Sequence, residues 1–223
     1  MATIAPTTAV TPRRILATRN AGWAKCLAHR LARSGVRPNS VSIAGVLFAA
    51  AACGAFLSVP VVSPAIRPWA LLLAAAAIQL RLLCNLLDGM LAVEEGFKSK
   101  TGELYNDLPD RVADVLILVG AGCSIPDLRG GPTLGWAAAV TAVLTAYVRV
   151  LGASLGGAQH FIGPMAKQHR MFTLTVATLA AFVEAMLGMS LQALRAGLWW
   201  IVIGSIVTAC RRTHRIAGEM EAR

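Results

Sequence analysis

From Val41 to Cys210 the chain is a succession of apolar stretches, each close to the ~20 residues a helix needs to cross the hydrocarbon of a bilayer. Lipid offers a peptide group no hydrogen-bond partner, so such stretches fold as helices that satisfy their own backbone. Hydrophobic residues make up 56% of the 223 positions and charged residues only 14%, a balance outside the usual soluble range. Six spans are expected: Val41 to Val59, Trp69 to Val93, Asp110 to Ile125, Thr133 to Gly152, Met171 to Met189 and Leu191 to Cys210. The expected fold is therefore all-α, an integral membrane bundle of six transmembrane helices over residues 38–210.

The flanks extend this reading. Residues 1–11 are rich in Thr, Ala and Pro and are expected to be disordered, and Thr11-Pro12 reads as a helix start, a capping hydroxyl followed by Pro at the first helical position. Over residues 12–37 Trp23, Leu27 and Leu31 recur at intervals of four among Arg14, Arg19, Lys25, Arg30 and Arg33. That pattern predicts an N-terminal amphipathic helix lying in the membrane interface. The first long apolar run begins near Val41, too late for a cleaved signal sequence. Residues 211–223 read as a basic cytoplasmic tail.

Basic residues cluster at alternate ends of the spans, which puts both termini in the cytoplasm by the positive-inside rule. The net charge of +10 is concentrated at those ends, a distribution suited to anionic lipid and not to nucleic acid. Trp69, Trp136, Trp199 and Trp200 then fall near the opposite interface as an aromatic belt. The five cysteines are scattered, with no Cys-x-x-Cys pair, and suggest neither a disulfide framework nor a zinc site.

Against this apolar background the polar residues of the second and third spans stand out. A charge at the centre of a membrane helix costs roughly 2.5–3.5 kcal/mol on insertion scales, so it persists only with an internal partner, an ion or water. Arg81, Asn85, Asp88 and Ala92 share one helix face, and Glu103, Asn106 or Asp107, Asp110 and Asp114 repeat the pattern on the next helix. Two neighbouring helices can thus direct oxygen ligands into one space, with Gly89, Ala92 and Gly102 leaving room beside them. Hard divalent cations take such ligands, and magnesium is commonly held by one or two carboxylates plus substrate phosphate.

These residues resemble the signature of the CDP-alcohol phosphotransferases, Asp-x2-Asp-Gly-x2-Ala-Arg-x8-Gly-x3-Asp-x3-Asp, with every interval kept. Asp88, Gly89, Ala92, Gly102 and Asp110 match, while Asn85, Val93 and Asn106 stand where the signature has Asp, Arg and Asp. The resemblance implies a six-helix membrane enzyme that moves a phosphoalcohol from a CDP-alcohol, here a CDP-diacylglycerol-like lipid, to an acceptor alcohol with release of CMP. It implies two divalent ions, Mg2+ or Mn2+, metal binding at Asn85, Asp88, Asn106 and Asp110, and Asp110 as the base that activates the acceptor hydroxyl. Gly89, Ala92 and Gly102 would let the backbone approach the nucleotide. Asn39, in the Pro-Asn-Ser turn before the first span, would lie near the nucleotide pocket. It further suggests a homodimer in a bacterial inner membrane.

The two Asp-to-Asn differences remove two negative charges; Asp107, Glu103 and Asp114 are the candidates to restore them. Arg149, Lys167 and Arg170 flank a Gly-rich connection and are candidates for a substrate phosphate, with cytoplasmic anchoring as the other reading. The diluted motif leaves open a homologue that binds lipid or nucleotide without turnover, or a transporter.

Overall fold

In a computed structural model, which describes residues 21–93, 102–125, 130–157 and 162–222, the chain is helical throughout its regular structure. The helices are α1 (Gly22–Arg33), α2 (Pro38–Ser58), α3 (Arg67–Val93), α4 (Gly102–Cys123), α5 (Gly130–Ser154), α6 (Lys167–Met186) and α7 (Gln192–Glu221). Four of them, α2, α3, α5 and α7, are long and apolar enough to cross a membrane. The expected disorder of residues 1–11 and the helix start at Thr11-Pro12 lie outside the described residues. α1 begins at Gly22, after an extended Ala21.

α2 to α7 close into a ring in which each helix packs on two others, in the order α2, α4, α5, α7, α6, α3 and back to α2, with α1 against α3. The expectation that the second and third spans, α3 and α4, are direct neighbours is corrected here: they meet only sparsely, because α2 lies between them. α2 fits there through small residues. A side chain on Gly45 would come 3.4 Å from Cys84 Cβ of α3, and one on Gly120 of α4 would come 2.9 Å from the Cys53 backbone of α2.

Small residues also fill the centre: Ala49, Ala52, Ala74, Ala138, Ala142 and Ala181 are all buried, while Leu47, Leu73, Val140, Phe172, Trp199 and Trp200 face outward. Packing of this kind lets backbones come close without requiring water to drive the association. The four tryptophans assigned to a belt are all more than half exposed. All five cysteines are free.

The start of α4, at Gly102 rather than Asp110, and the C-terminal ends of α6 and α7 differ most from expectation. α6 stops at Met186 rather than Met189 because Gly188, at a φ of +70°, closes the helix with bonds from the Gly188 and Met189 N–H groups to Ala185 and Glu184 carbonyls. α7 does not end at Cys210 but continues to Glu221. Its Arg212 is buried, donating to the Ile162 carbonyl at 3.0 Å and the Thr145 carbonyl at 2.7 Å. The tail is thus helical at least in part because one of its cations caps other backbone inside the ring.

α4 and α5 cross with their backbones in close approach: a Cβ on Gly122 would fall 2.5 Å from Gly135 Cα and 2.6 Å from the Gly131 carbonyl. Gly122→Leu is expected to lower the melting temperature in detergent by ~5 °C or more, from an overpacking cost of ~1–3 kcal/mol. Gly54→Ala, which meets nothing within 4 Å, should leave it within ~2 °C.

Candidate active site

The two halves of the motif converge on one narrow hollow. It is lined by Ser42, Gly45 and Val46 of α2, Arg81, Cys84, Asn85 and Asp88 of α3, and Pro109, Asp110 and Ala113 of α4. The four-three spacing that puts Arg81, Asn85 and Asp88 on one face of α3 aims all three at it. Asp110 comes from the facing helix, just after Pro109, which is tolerated inside α4.

Asp88 is buried, and the Ser42 hydroxyl donates to its Oδ2 at 2.8 Å. Its Oδ1 is buried with no hydrogen-bond partner. The Asn85 amide donates to both oxygens of Asp110, at 3.0 and 3.3 Å, and its own oxygen accepts from Lys167 Nζ at 2.8 Å. Lys167 Nζ also pairs with Asp110 Oδ2, and Arg81 Nη2 pairs with Asp110 Oδ1 at 3.1 Å.

Beneath this layer lies a second one. Asp114 has no exposed side-chain surface and is held by Arg81 at 3.1 Å and Arg170 at 2.6 Å, both cations being almost fully buried themselves. Arg81 therefore joins the two layers, and Asp114 gathers helices α3, α4 and α6. A third cluster lies to the side: Asp107 accepts from Arg149 at 2.8 Å and Arg111 at 3.1 Å.

The loop that carries Lys167 is clamped onto α7. The Met165 N–H donates to the Thr208 hydroxyl at 3.0 Å, and Arg212 holds the Ile162 carbonyl. Gly163, at a φ of +118°, lies so close to Thr208 that any Cβ would come within 2.5 Å of it, so glycine alone fits there.

Of the site residues expected from sequence, Asn85, Asp88 and Asp110 line the hollow and Lys167 reaches it. Arg170 is bound to Asp114, and Arg149 to Asp107. Asp107, expected to make up for Asn106, is not among the lining residues: one position before or after a helix residue is about 100° around the axis, which turns it toward Arg149 instead. Gly89 and Ala92 lie in the last turns of α3 but do not line the hollow, and neither does Asn39, at the start of α2. The side chains of Glu103 and Asn106, and the surroundings of Gly102, lie outside the described residues.

Three residues of the network were not assigned to the site from sequence: Ser42, Arg81 and Arg111. Arg81 carried a signal, since it continues the polar face of its helix; Asp114, a candidate to restore charge at the site, is instead bound by Arg81 and Arg170 and does not line the hollow. Ser42 carried none, because its partner is 46 positions away. Among the described residues no three His, Cys, Asp or Glu side chains form a ligand set; the side-chain oxygens at the hollow are the carboxylates of Asp88 and Asp110, the amide of Asn85 and the hydroxyl of Ser42. The unpartnered Asp88 Oδ1 is an oxygen available to one hard cation.

No family model matches the sequence, and no curated protein matches it significantly. Solved structures do match the fold. Phosphatidylinositol phosphate synthase of Mycobacterium tuberculosis with CDP-DAG bound superimposes with a TM-score of 0.70 at 21% identity, over 88% of this chain and 94% of that one. The same synthase in complex with manganese and citrate gives 0.69 at 21% identity, over 86% and 88% of the two chains, and its apo form gives 0.66 at 21%, over 84% and 93%. The chain has the fold of that synthase over nearly its whole described length.

The burial of Asp114 makes it the most costly carboxylate to disturb. Asp114→Ala leaves Arg170 buried without its counter-charge and Arg81 with Asp110 alone, and is expected to destabilise by ~3–5 kcal/mol. Asp107→Ala, in a part-exposed pair, should cost ~1 kcal/mol or less. Thermal melts of the two variants in one detergent check the ranking.

Proposed function

We propose that the chain is a membrane-embedded CDP-alcohol phosphatidyltransferase, moving a phosphatidyl group from a CDP-diacylglycerol-like lipid to an acceptor alcohol and releasing CMP. The observation that carries this reading is the convergence of Asp88 and Asp110, one from each half of the motif, on a single hollow. It is supported by the likeness of the fold to a synthase that binds CDP-DAG and, in another structure, manganese.

In this reading the diphosphate of the lipid lies over the ends of α3 and α4 that carry the motif, with its acyl chains left in the bilayer beside the outward Leu and Val side chains. Asp88, whose Oδ1 has no partner, would hold the divalent cation, Mg2+ or Mn2+, with Asn85, Asp110 and Asn106 completing the motif. When bound, the cation neutralises charge developing on the phosphate and on departing CMP. Asp110 takes the proton from the acceptor hydroxyl, and the donors around it, Arg81 and Asn85, fix the orientation of its carboxylate. Lys167 is the basic side chain best placed to meet substrate phosphate, while Arg170 acts through Asp114. Gly89, Ala92 and Gly102 leave room for the backbone to approach the nucleotide, and Asn39, Glu103 and Arg149 border the substrate from the cytoplasmic rim.

The same reading sets the molecule in its membrane. α4 and α6 join the four apolar helices as spans, giving six; their charged N-terminal portions, with Asp107, Asp110, Asp114, Lys167 and Arg170, face the protein interior or the cytoplasmic edge and so escape lipid. α1 lies in the interface, where its exposed Trp23 meets acyl chains and Arg30 and Arg33 meet phosphates. Both termini are cytoplasmic, the membrane is a bacterial inner membrane, and the protein is a homodimer.

The test is CMP release from CDP-diacylglycerol by purified protein with Mn2+ or Mg2+ and a panel of acceptors: glycerol phosphate, inositol phosphate and serine. Asp110→Asn is expected to lower the rate ~10²-fold or more with unchanged circular dichroism. Unchanged release would remove Asp110 from the mechanism, and no release by the folded wild-type chain with any acceptor would favour a lipid- or nucleotide-binding homologue.

A further inference from the structure

We infer that the Lys167 ammonium is a resident cation of this centre, standing in for a second divalent ion, so that the chain holds one metal ion where the resemblance implies two. The inference rests on the metal-dependent reading above and concerns how the site is charged.

The position of Lys167 is that of a bridging cation. Its Nζ is shared between Asn85 Oδ1 at 2.8 Å and Asp110 Oδ2, which belong to opposite halves of the motif. Both oxygens of Asp110 already have donors. Oδ1 accepts from Arg81 at 3.1 Å and Asn85 at 3.0 Å, and Oδ2 accepts from Lys167 and from Asn85 at 3.3 Å.

Asn85 fits this arrangement and Asp would not. Its amide nitrogen donates to Asp110 while its oxygen accepts from Lys167, whereas a carboxylate there could only repel Asp110. Replacing two motif carboxylates by Asn85 and Asn106 removes two negative charges, the charge of one divalent ion. Lys167 then supplies a single positive charge between the oxygens that remain. Nor is the ammonium loosely placed: the loop before it is held on α7 through Thr208, Gly163 and Arg212.

What is left for a metal is at the other end of the hollow. Asp88 Oδ2 is occupied by Ser42, but Oδ1 is buried with no partner. A buried carboxylate oxygen in that condition calls for a cation or a donor.

The experiment is a Mn2+ titration of the purified full-length chain in detergent, with free ion counted by electron paramagnetic resonance. One Mn2+ per chain is expected for the wild type and for Asn85→Asp, and two, with the signature of a coupled pair, for Asn85→Asp combined with Lys167→Gln. Two ions in the wild type, a second ion gained by Asn85→Asp alone, or one ion in the double variant would each overturn the inference. The first two of these would leave the transferase reading standing, whereas no bound Mn2+ in the wild type would overturn both. The wild-type count is decisive even if the double variant fails to fold.

Discussion

A carboxylate with no exposed surface, Asp114, is held between Arg81 and Arg170 in the interior of a ring of apolar helices, and the geometry of the site depends on it. Removing three charges from water is expensive, and their mutual attraction offsets this only when the geometry is good. Here the three come from α4, α3 and α6, so the arrangement forms only when those helices have the right rotation and depth. Because Arg81 also reaches Asp110, the buried pair sets the orientation of the carboxylate at the hollow. The structural ion pair and the chemical site are thus one continuous network.

The ring supplies the rest through close backbone approach. α2 separates α3 from α4 by a distance that Gly45 and Gly120 permit, leaving a gap wide enough for Asp88 and Asp110 to line without direct helix packing. α7 acts from the far side, fixing the segment before α6 and so the place of Lys167. Helices without a motif residue therefore decide where the motif residues point. Glu184 does similar work at the other end of the bundle, its carboxylate accepting from the Ala193 N–H at 3.0 Å where α7 begins.

Local pattern made much of this legible. The apolar run lengths disclosed six long helices to within a few residues at most ends, since hydrocarbon thickness and helical rise leave little freedom. Periodicity placed Arg81, Asn85 and Asp88 on one face, and the interval between motif halves paired Asp88 with Asp110 in one hollow. Asp107 was harder: its place depends on Arg149, 42 positions away, and helical spacing alone does not decide which of two adjacent acids turns inward. The length of α7 was hidden for a similar reason, because a basic tail reads as solvated unless one knows that Arg212 finds carbonyls to cap.

What the sequence determined by itself is the set of helices, their apolar character and the faces that bear oxygen and nitrogen, all consequences of spacing along one chain. What the tertiary structure alone decided is which charge meets which: that α2 stands between α3 and α4, that Ser42 serves Asp88, and that Lys167 sits between Asn85 and Asp110. Those pairings join residues tens of positions apart, and they are fixed by the order in which helices close the ring, which depends on fit between surfaces and not on periodicity within any one of them.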